Sequence, residues 1–379
     1  MPTQPELSDE YYKLSDEQLA ERIAARKTQL GDRLCILGHH YQRDSVIRFA
    51  DFTGDSLKLS QLAAAQQKAE FIVFCGVHFM AESADILSAP HQVVCLPNLH
   101  AGCVMAEMVD EASMETALQE LTELTGARIV PISYVNSSAA VKAVTARGNG
   151  ACCTSSNARS VFQWALTPRE KTGAAGDKIL AVPDQHLARN TAAAMGWDID
   201  AGCALYDPDL PSGGLTADQA SRATFILWKG YCHVHQVFTV GHIRRVRRRS
   251  PGIKVIVHPE CPRDVVAEAD ASGSTEQIIR AVTDAPSGSQ WAIGTEQNLV
   301  RRLARVNPDK YVRLLSDGPA SCWQMGKIDL PHLLWVLDNL AEGRVVNRVT
   351  VPPDIADDAR IALQRMIEIG PARDVTPRR

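Results

Sequence analysis

A chain of 379 residues, 45% hydrophobic and 22% charged, has the composition of a soluble globular protein with room for two or three domains. Its formal net charge of −4 gives no bulk attraction to nucleic acid or membrane, and no apolar run approaches the ~18 residues that a bilayer span needs. The polar, acidic start and ten scattered cysteines, unlike a signal sequence or a disulfide scaffold, lead us to expect a reducing, cytoplasmic setting.

In chain order, the pattern predicts a helix over 15–30, with Ser15 as N-cap and Gln18 completing a capping box. A strand over 34–37 follows, then a helix over 56–68, a strand over 71–74, a helix over 80–87 and a strand over 92–96. The layout then restarts. A helix over 111–125 leads to a strand ending at Ser133, a helix over 139–147 to a strand over 151–153, and a helix over 158–164 to a strand over 179–182. It restarts again with a helix over 237–248 and a strand over 255–257, and 265–267, 291–293 and 311–314 also read as strands. The stretches 173–176 and 208–214 read as loops; beyond 351 come a helix and a polar tail without packed structure. Strands alternating with helices across short connections imply parallel sheets, in three α/β units of about 100 residues. The expected boundaries are 1–108, 109–228 and 229–325, with 326–379 packing back on the first unit.

Three predicted strands empty into clusters of functional residues: Cys35-Ile36-Leu37-Gly38-His39-His40-Tyr41, Ile129-Val130-Pro131-Ile132-Ser133-Tyr134-Val135-Asn136 and Val255-Ile256-Val257-His258-Pro259-Glu260-Cys261. Chemistry in α/β folds collects at such carboxyl ends, so three matching ends suggest one shared site. Gly54-Asp55-Ser56, Thr154-Ser155-Ser156-Asn157 and Gly273-Ser274-Thr275 each precede a helical pattern. Any one is most simply a helix cap; together they favour an anionic small molecule, phosphorylated or dicarboxylic. No Gly-x-Gly-x-x-Gly follows a strand, and neither a Walker-type loop nor His-Glu-x-x-His is present, which argues against dinucleotides, nucleoside triphosphates and zinc hydrolysis.

His258 and Glu260, two residues apart after a strand, project to the same side and suit proton transfer, weighed evenly against a strand-capping His and a solvated Glu. Cys232-His233-Val234-His235, entered through the loop-like Trp228-Lys229-Gly230-Tyr231, has metal-ligand composition but no Cys-x-x-Cys partner. Arg244 to Arg249 reads as a solvated helix face or anion contact rather than an RNA site. Cys103 and Cys322 fall in loops beside small residues. From residues alone, a zinc-dependent enzyme acting on a phosphorylated or dicarboxylic metabolite through Cys232, His233 or His235 stays open, as does an RNA-binding protein.

The strings His39-His40-Tyr41-Gln42, Gly54-Asp55-Ser56-Leu57, Cys75-Gly76-Val77-His78, Ala101-Gly102-Cys103, Tyr134-Val135-Asn136-Ser137-Ser138, Cys153-Thr154-Ser155-Ser156-Asn157, Pro183-Asp184-Gln185-His186-Leu187, Gly230-Tyr231-Cys232-His233 and His258-Pro259-Glu260-Cys261-Pro262 together resemble the quinolinate synthase (NadA) family. The resemblance runs over most of the chain. It implies three similar three-layer α/β/α domains with parallel sheets around a pseudo-threefold axis, the active site at the centre. It further implies a [4Fe–4S] cluster held by Cys103, Cys232 and Cys322, one from each third, with an open iron as Lewis acid. Cys261 is the rival for the last ligand, set aside because it belongs to the His-Pro-Glu string.

The implied reaction condenses iminoaspartate (iminosuccinate) with dihydroxyacetone phosphate to quinolinate, the precursor of NAD, releasing phosphate and water. By position, His39 and Tyr41 would contact substrate, and Ser56, Ser155 and Thr275 would hold carboxylate or phosphate. Tyr134, Val135 and Asn136 would orient the intermediate, and His258, Pro259 and Glu260 would bind it. Tyr41, Tyr134, His258 and Glu260 would be the catalytic groups, with His235 a neighbour. Two small-molecule substrates, transient contact with the enzyme supplying iminoaspartate, a monomer or homodimer, and no nucleic acid or membrane complete the expectation.

Overall fold

The computed structural model describes residues 4–65, 68–167 and 176–370. Its strands are β1 Leu34–His39, β2 Phe52–Gly54, β3 Phe71–Cys75, β4 Val93–Cys95, β5 Ile129–Tyr134, β6 Ala151–Cys153 and β7 Lys178–Val182. They continue with β8 Cys203–Tyr206, β9 Phe225–Trp228, β10 Lys254–Val257, β11 Ala271–Ser272, β12 Gln290–Gly294, β13 Tyr311–Leu314 and β14 Arg348–Val349. They form three sheets, ordered β14-β4-β3-β1-β2, β6-β5-β7-β9-β8 and β11-β10-β12-β13. Every pairing within these sheets is parallel except β14 against β4. The fold is α/β, as the alternation predicts. Strands β1, β3, β5, β7 and β9 are buried at every position, which is why they appear in the sequence as continuous apolar runs rather than alternating ones.

The chain divides into two compact units, Met1–Cys103 with Cys322–Pro353 and Val104–Ser321 with Asp354–Arg379. In the first, the helix Asp16–Leu30 starts at the predicted capping box: Ser15 Oγ accepts from Gln18 N at 3.3 Å and Gln18 Oε1 accepts from Ser15 N at 2.9 Å. Its buried Leu19, Ile23 and Leu30 lie on the face that packs against the helix Leu330–Ala341. Buried Asp338 of that second helix receives Arg22 at 2.8 Å, Arg26 at 2.6 Å and the Tyr11 hydroxyl at 3.1 Å.

The second unit holds the other two sheets. One of its cores sets Met114, Leu121, Val141, Leu180, Ile226 and Trp228 together, with Tyr206 stacked on Trp228 at 5.4 Å. The helix Pro353–Ile369 belongs here: Asn157 Nδ2 donates to Met366 O at 3.0 Å and Arg365 to Gly150 O at 2.6 Å. The chain beyond 326 therefore splits, one helix and β14 completing the first unit and the last helix the second.

Several local expectations change. Residues 265–267 are not a strand but part of the helix Arg263–Glu268, which begins after Pro262; three apolar residues carry no period, and the edge position next to β10 goes to the two-residue β11. Trp228 ends β9, a strand between β7 and β8, rather than opening a loop. The 237–248 helix begins at Val240, because Thr239 caps it with its own capping box, and a separate turn of helix spans His233–Gln236. The polar tail and most of the 173–176 loop lie outside the described residues.

Leu121 is fully buried in the second unit's core. Leu121→Ala should lower unfolding stability by about 2–5 kcal/mol, read as a shift of the urea midpoint at unchanged slope.

Candidate functional site

Beyond the carboxyl ends of its strands the second unit buries several polar groups, among them Asp184, His258, Glu260 and Thr295. Beyond β9, Gly230 forms a bridge with Asp184 and accepts the N–H of Gln185 at 3.0 Å. A Cβ at Gly230 would lie 2.2 Å from the Pro183 carbonyl, so only glycine lets the two loops approach this closely. Asp184 caps the helix Gln185–Ala194, accepting from Leu187 N at 2.6 Å, and also takes the backbone N–H groups of Cys232 and His186. Burial and the nearby Glu260 carboxylate push Asp184 well above the usual carboxylate range, against the pull of those three N–H groups.

The turn of helix His233–Gln236 then carries His235 inside. Its Nδ1 lies 2.7 Å from Glu260 Oε2, and its Nε2 lies 3.2 Å from Thr295 Oγ1, just beyond β12. The His235 ring stacks on His258, centroids 4.4 Å apart and planes 19° from parallel. His258 follows β10; its Nδ1 accepts the Glu260 backbone N–H at 3.3 Å, and its Nε2 reaches Ser155 Oγ at 3.2 Å. An Nδ1 that accepts leaves the proton of a neutral ring on Nε2, where it is donated to Ser155.

Glu260 is 2% exposed. Burial alone would raise its pKa, but the imidazoles of His235 and His258, with hydrogen bonds from His235 and Tyr134, outweigh it and hold the carboxyl below its usual range. His258 goes the other way. Burial, then the neighbouring His235, lower it from 6.5 to about 3, against a smaller pull from Glu260. The centre is thus a buried carboxylate flanked by a neutral imidazole and a phenol, an arrangement suited to moving protons.

One further side chain aims this centre. Asn190, on the helix Gln185–Ala194, donates through Nδ2 to Pro259 O at 2.8 Å and Cys261 O at 2.9 Å. These are the two carbonyls on either side of Glu260. Cys261 itself is fully buried with Sγ 3.6 Å from Gly294 O, and burial pushes its thiol well up.

The second unit therefore brings together Tyr134, Ser155, His258 and Glu260, with Cys232 close by: Cys232, His235 and Glu260 each place a ligand-type atom within 4.8 Å of the others. Val135 continues from β5, its N–H bonded to Cys153 O at 2.8 Å, and the buried Oδ1 of Asn136 has no hydrogen-bond partner among the described residues. Thr275 is buried at the start of the helix Thr275–Thr283, whose cap is Ser274 in a capping box with Gln277. In the first unit, His39 ends β1 and packs edge-on against Tyr41 at 4.7 Å; Ser56 opens the helix Ser56–Ala65, where Asp55 accepts from Lys58 N at 3.0 Å. Cys103 and Cys322 also lie in this unit, both half-buried in loops.

The Arg244 to Arg249 run is the outer face of an amphipathic helix whose Ile243 and Val246 are buried. Arg245 and Arg249 pair with Asp317, and Arg247 with Glu268 and Asp270. Sequence reasoning gave Asp184, Asn190 and Thr295 no role. Asp184 carried a signal, an Asp preceding a helix; Asn190 carried none, because its partners are distant in sequence.

Residues 21–368 match the family model described as Quinolinate synthetase A protein. The chain belongs to the NadA family. Among its relatives, the quinolinate synthase of Geobacillus sp. (strain WCH70) is 50% identical over 364 residues, covering 96% of this chain and 97% of that one. The quinolinate synthase of Nocardioides sp. (strain ATCC BAA-499 / JS614) is 51% identical, covering 94% and 90%, and that of Streptomyces coelicolor is 50% identical, covering 94% and 89%. This NadA-family chain is an enzyme of NAD biosynthesis.

Two outcomes follow from the site. Asn190→Ala should lower kcat by up to about 100-fold with a smaller change in KM, since it releases the Glu260 turn without removing a group of that turn. A KM increase at constant kcat would refute the positioning role. The second concerns acid. Between 6.5 unfolded and about 3 folded, His258 binds more proton in the unfolded chain, so its contribution is complete above pH 6.5 and is lost as pH falls toward 3. His258→Gln should flatten the fall of unfolding free energy over that window by up to about 1.4 kcal/mol per pH unit, measured by urea titration at stepped pH.

Proposed function

We propose that this NadA-family enzyme condenses iminoaspartate with dihydroxyacetone phosphate to quinolinate, phosphate and water in the cytoplasm, using a [4Fe–4S] cluster on Cys103, Cys232 and Cys322. The observation that carries the acid–base part is Glu260, an ionised carboxylate that receives Tyr134 and touches His235 inside the protein.

The cysteine chemistry fits the ligand set. Burial pushes the thiols of Cys35, Cys75 and Cys95 up to about 12 and that of Cys203 to about 11, and raises those of Cys152, Cys153 and Cys261 as well, which disfavours the thiolate that iron requires. Cys103, Cys232 and Cys322 are instead half-buried loop residues outside any disulfide. All ten cysteines lack disulfides, which suits a reducing compartment. When bound, a cluster with three thiolates supplies one open iron as a Lewis acid.

The remaining work falls to side chains. Glu260 takes and returns protons during isomerisation, ring closure and dehydration, with Tyr134 and His235 holding its oxygens. His258, neutral, donates through Nε2 to Ser155 or to a ligand oxygen that replaces it. Asn136 Oδ1, buried without a partner among the described residues, offers an acceptor to an intermediate N–H or O–H. Thr275, Ser155 and Ser56 with adjacent N–H groups bind carboxylate or phosphate, and His39 and Tyr41 contact substrate. Among the described residues no helix is long and apolar enough to cross a membrane.

The reading is tested with anaerobically reconstituted protein supplied with dihydroxyacetone phosphate and iminoaspartate generated in situ. Quinolinate should form only with the cluster present, and Cys103→Ser, Cys232→Ser and Cys322→Ser should each lose the broad visible absorption. Glu260→Gln should keep that absorption yet lower turnover by about 10²–10⁴-fold. A full iron–sulfur spectrum in all three cysteine variants would overturn the ligand set.

A further inference from the structure

Cys232 Sγ, a ring nitrogen of His235 and a carboxylate oxygen of Glu260 converge within 4.8 Å at a site where His235 and Glu260 are almost fully buried. We propose that the protein, when it holds no cluster, binds a single zinc ion through these three side chains, a mononuclear site distinct in composition from three cysteines.

The donor set selects the ion. A thiolate and an imidazole are poor ligands for magnesium or calcium and good ones for zinc, cobalt or nickel, and three protein ligands with one open position match a zinc site of catalytic type. Charge agrees as well: one thiolate and one carboxylate neutralise a divalent cation, so occupying this buried site leaves no net charge to desolvate.

The surroundings would hold the ligands as metal sites require. Bound through Nδ1, His235 keeps its proton on Nε2, which lies 3.2 Å from Thr295 Oγ1 as acceptor. Glu260 is oriented by Tyr134, and the backbone N–H of Cys232 is tied to Asp184. Binding needs a local adjustment. Nδ1 and Oε2 now lie 2.7 Å apart, in hydrogen-bond range, whereas two ligands of a tetrahedral zinc ion stand about 3.3 Å apart. The Glu260 carboxylate must turn to open that gap, and the Cys232 thiol, within 4.8 Å of both, must close on the ion. Zinc held this way takes up the Cys232 thiolate and the Glu260 carboxylate at once, so it would both block cluster assembly and silence the proton-transfer centre.

The test uses the full chain in cluster-free form, titrated with Co²⁺ as a coloured stand-in and then with Zn²⁺. One Co²⁺ per chain should bind, with tetrahedral d–d bands and a thiolate-to-cobalt charge-transfer band that Zn²⁺ erases. Cys232→Ser should abolish the charge-transfer band. His235→Ala and Glu260→Gln should each weaken Co²⁺ binding by about tenfold or more, since losing even an outer partner of a metal ligand costs that much. The double variant Cys103→Ser/Cys322→Ser should bind as the parent does. Circular dichroism checks each fold, and if His235→Ala does not fold, Glu260→Gln carries the comparison. Absent cobalt binding, binding unchanged in both His235→Ala and Glu260→Gln, or binding lost in the double cysteine variant would overturn the proposal. The cluster reading fails separately: cobalt bound as described, with a full iron–sulfur spectrum retained in Cys232→Ser, would leave the zinc site standing and remove Cys232 from the cluster.

Discussion

Glu260 is an ionised carboxylate with almost no access to water, and much of the second unit is arranged around keeping it so. Isolated burial of such a charge is prohibitive; a group in that position ordinarily takes up a proton and becomes neutral. Here the Tyr134 hydroxyl, the Nδ1 of His235 and the stacked His258 replace the lost hydration. Asp184, buried beside it, goes the opposite way and is pushed up, as expected when two neighbouring carboxyls cannot both ionise at low cost. The contrast between the two acids is the electrostatic signature of the centre: one anion able to take a proton, one group whose N–H contacts fix the loop that carries Cys232.

Parallel sheet topology makes the convergence possible. β5, β7, β9 and β6 run the same way, so the residues just beyond them leave the sheet on one edge; β10 and β12 do the same in the neighbouring sheet. The helix Gln185–Ala194 joins the two groups of loops. Its N-cap Asp184 holds the Cys232 backbone, and Asn190, nearly two turns along, holds both carbonyls flanking Glu260. A single rigid element thus sets the distance between a thiol and a carboxylate that lie 28 positions apart in the chain (260 − 232).

The legibility of each part followed the range of its interactions. The helices Glu111–Thr125 and Ala139–Arg147 and the strands β6 and β13 matched their expected bounds, because capping residues, glycine stops and continuous apolar runs act over a few positions. The 265–267 segment failed because two valines and an alanine pack equally well in either geometry, and Pro262 set the helix start. Strand β9 is hard to read from sequence because its four residues run directly into the polar stretch that follows Trp228. His258 Nδ1 and Glu260 Oε2 lie 4.0 Å apart, since a two-residue spacing after a strand is a local constraint.

By itself, the sequence determined the α/β class and membership of the NadA family, because period, turn chemistry and ordered motifs are all properties of neighbours along the chain. Tertiary structure alone decided which of those groups meet. That His235 touches Glu260, that Thr295 faces the other side of the same ring, and that Asn190 grips the Glu260 turn depend on helices and strands folding back from 25 to 71 positions away (260 − 235 and 261 − 190). The charge states followed from that meeting as well: identical carboxyls at Asp184 and Glu260 move in opposite directions because burial is common to both, while the imidazole and phenol partners belong to one.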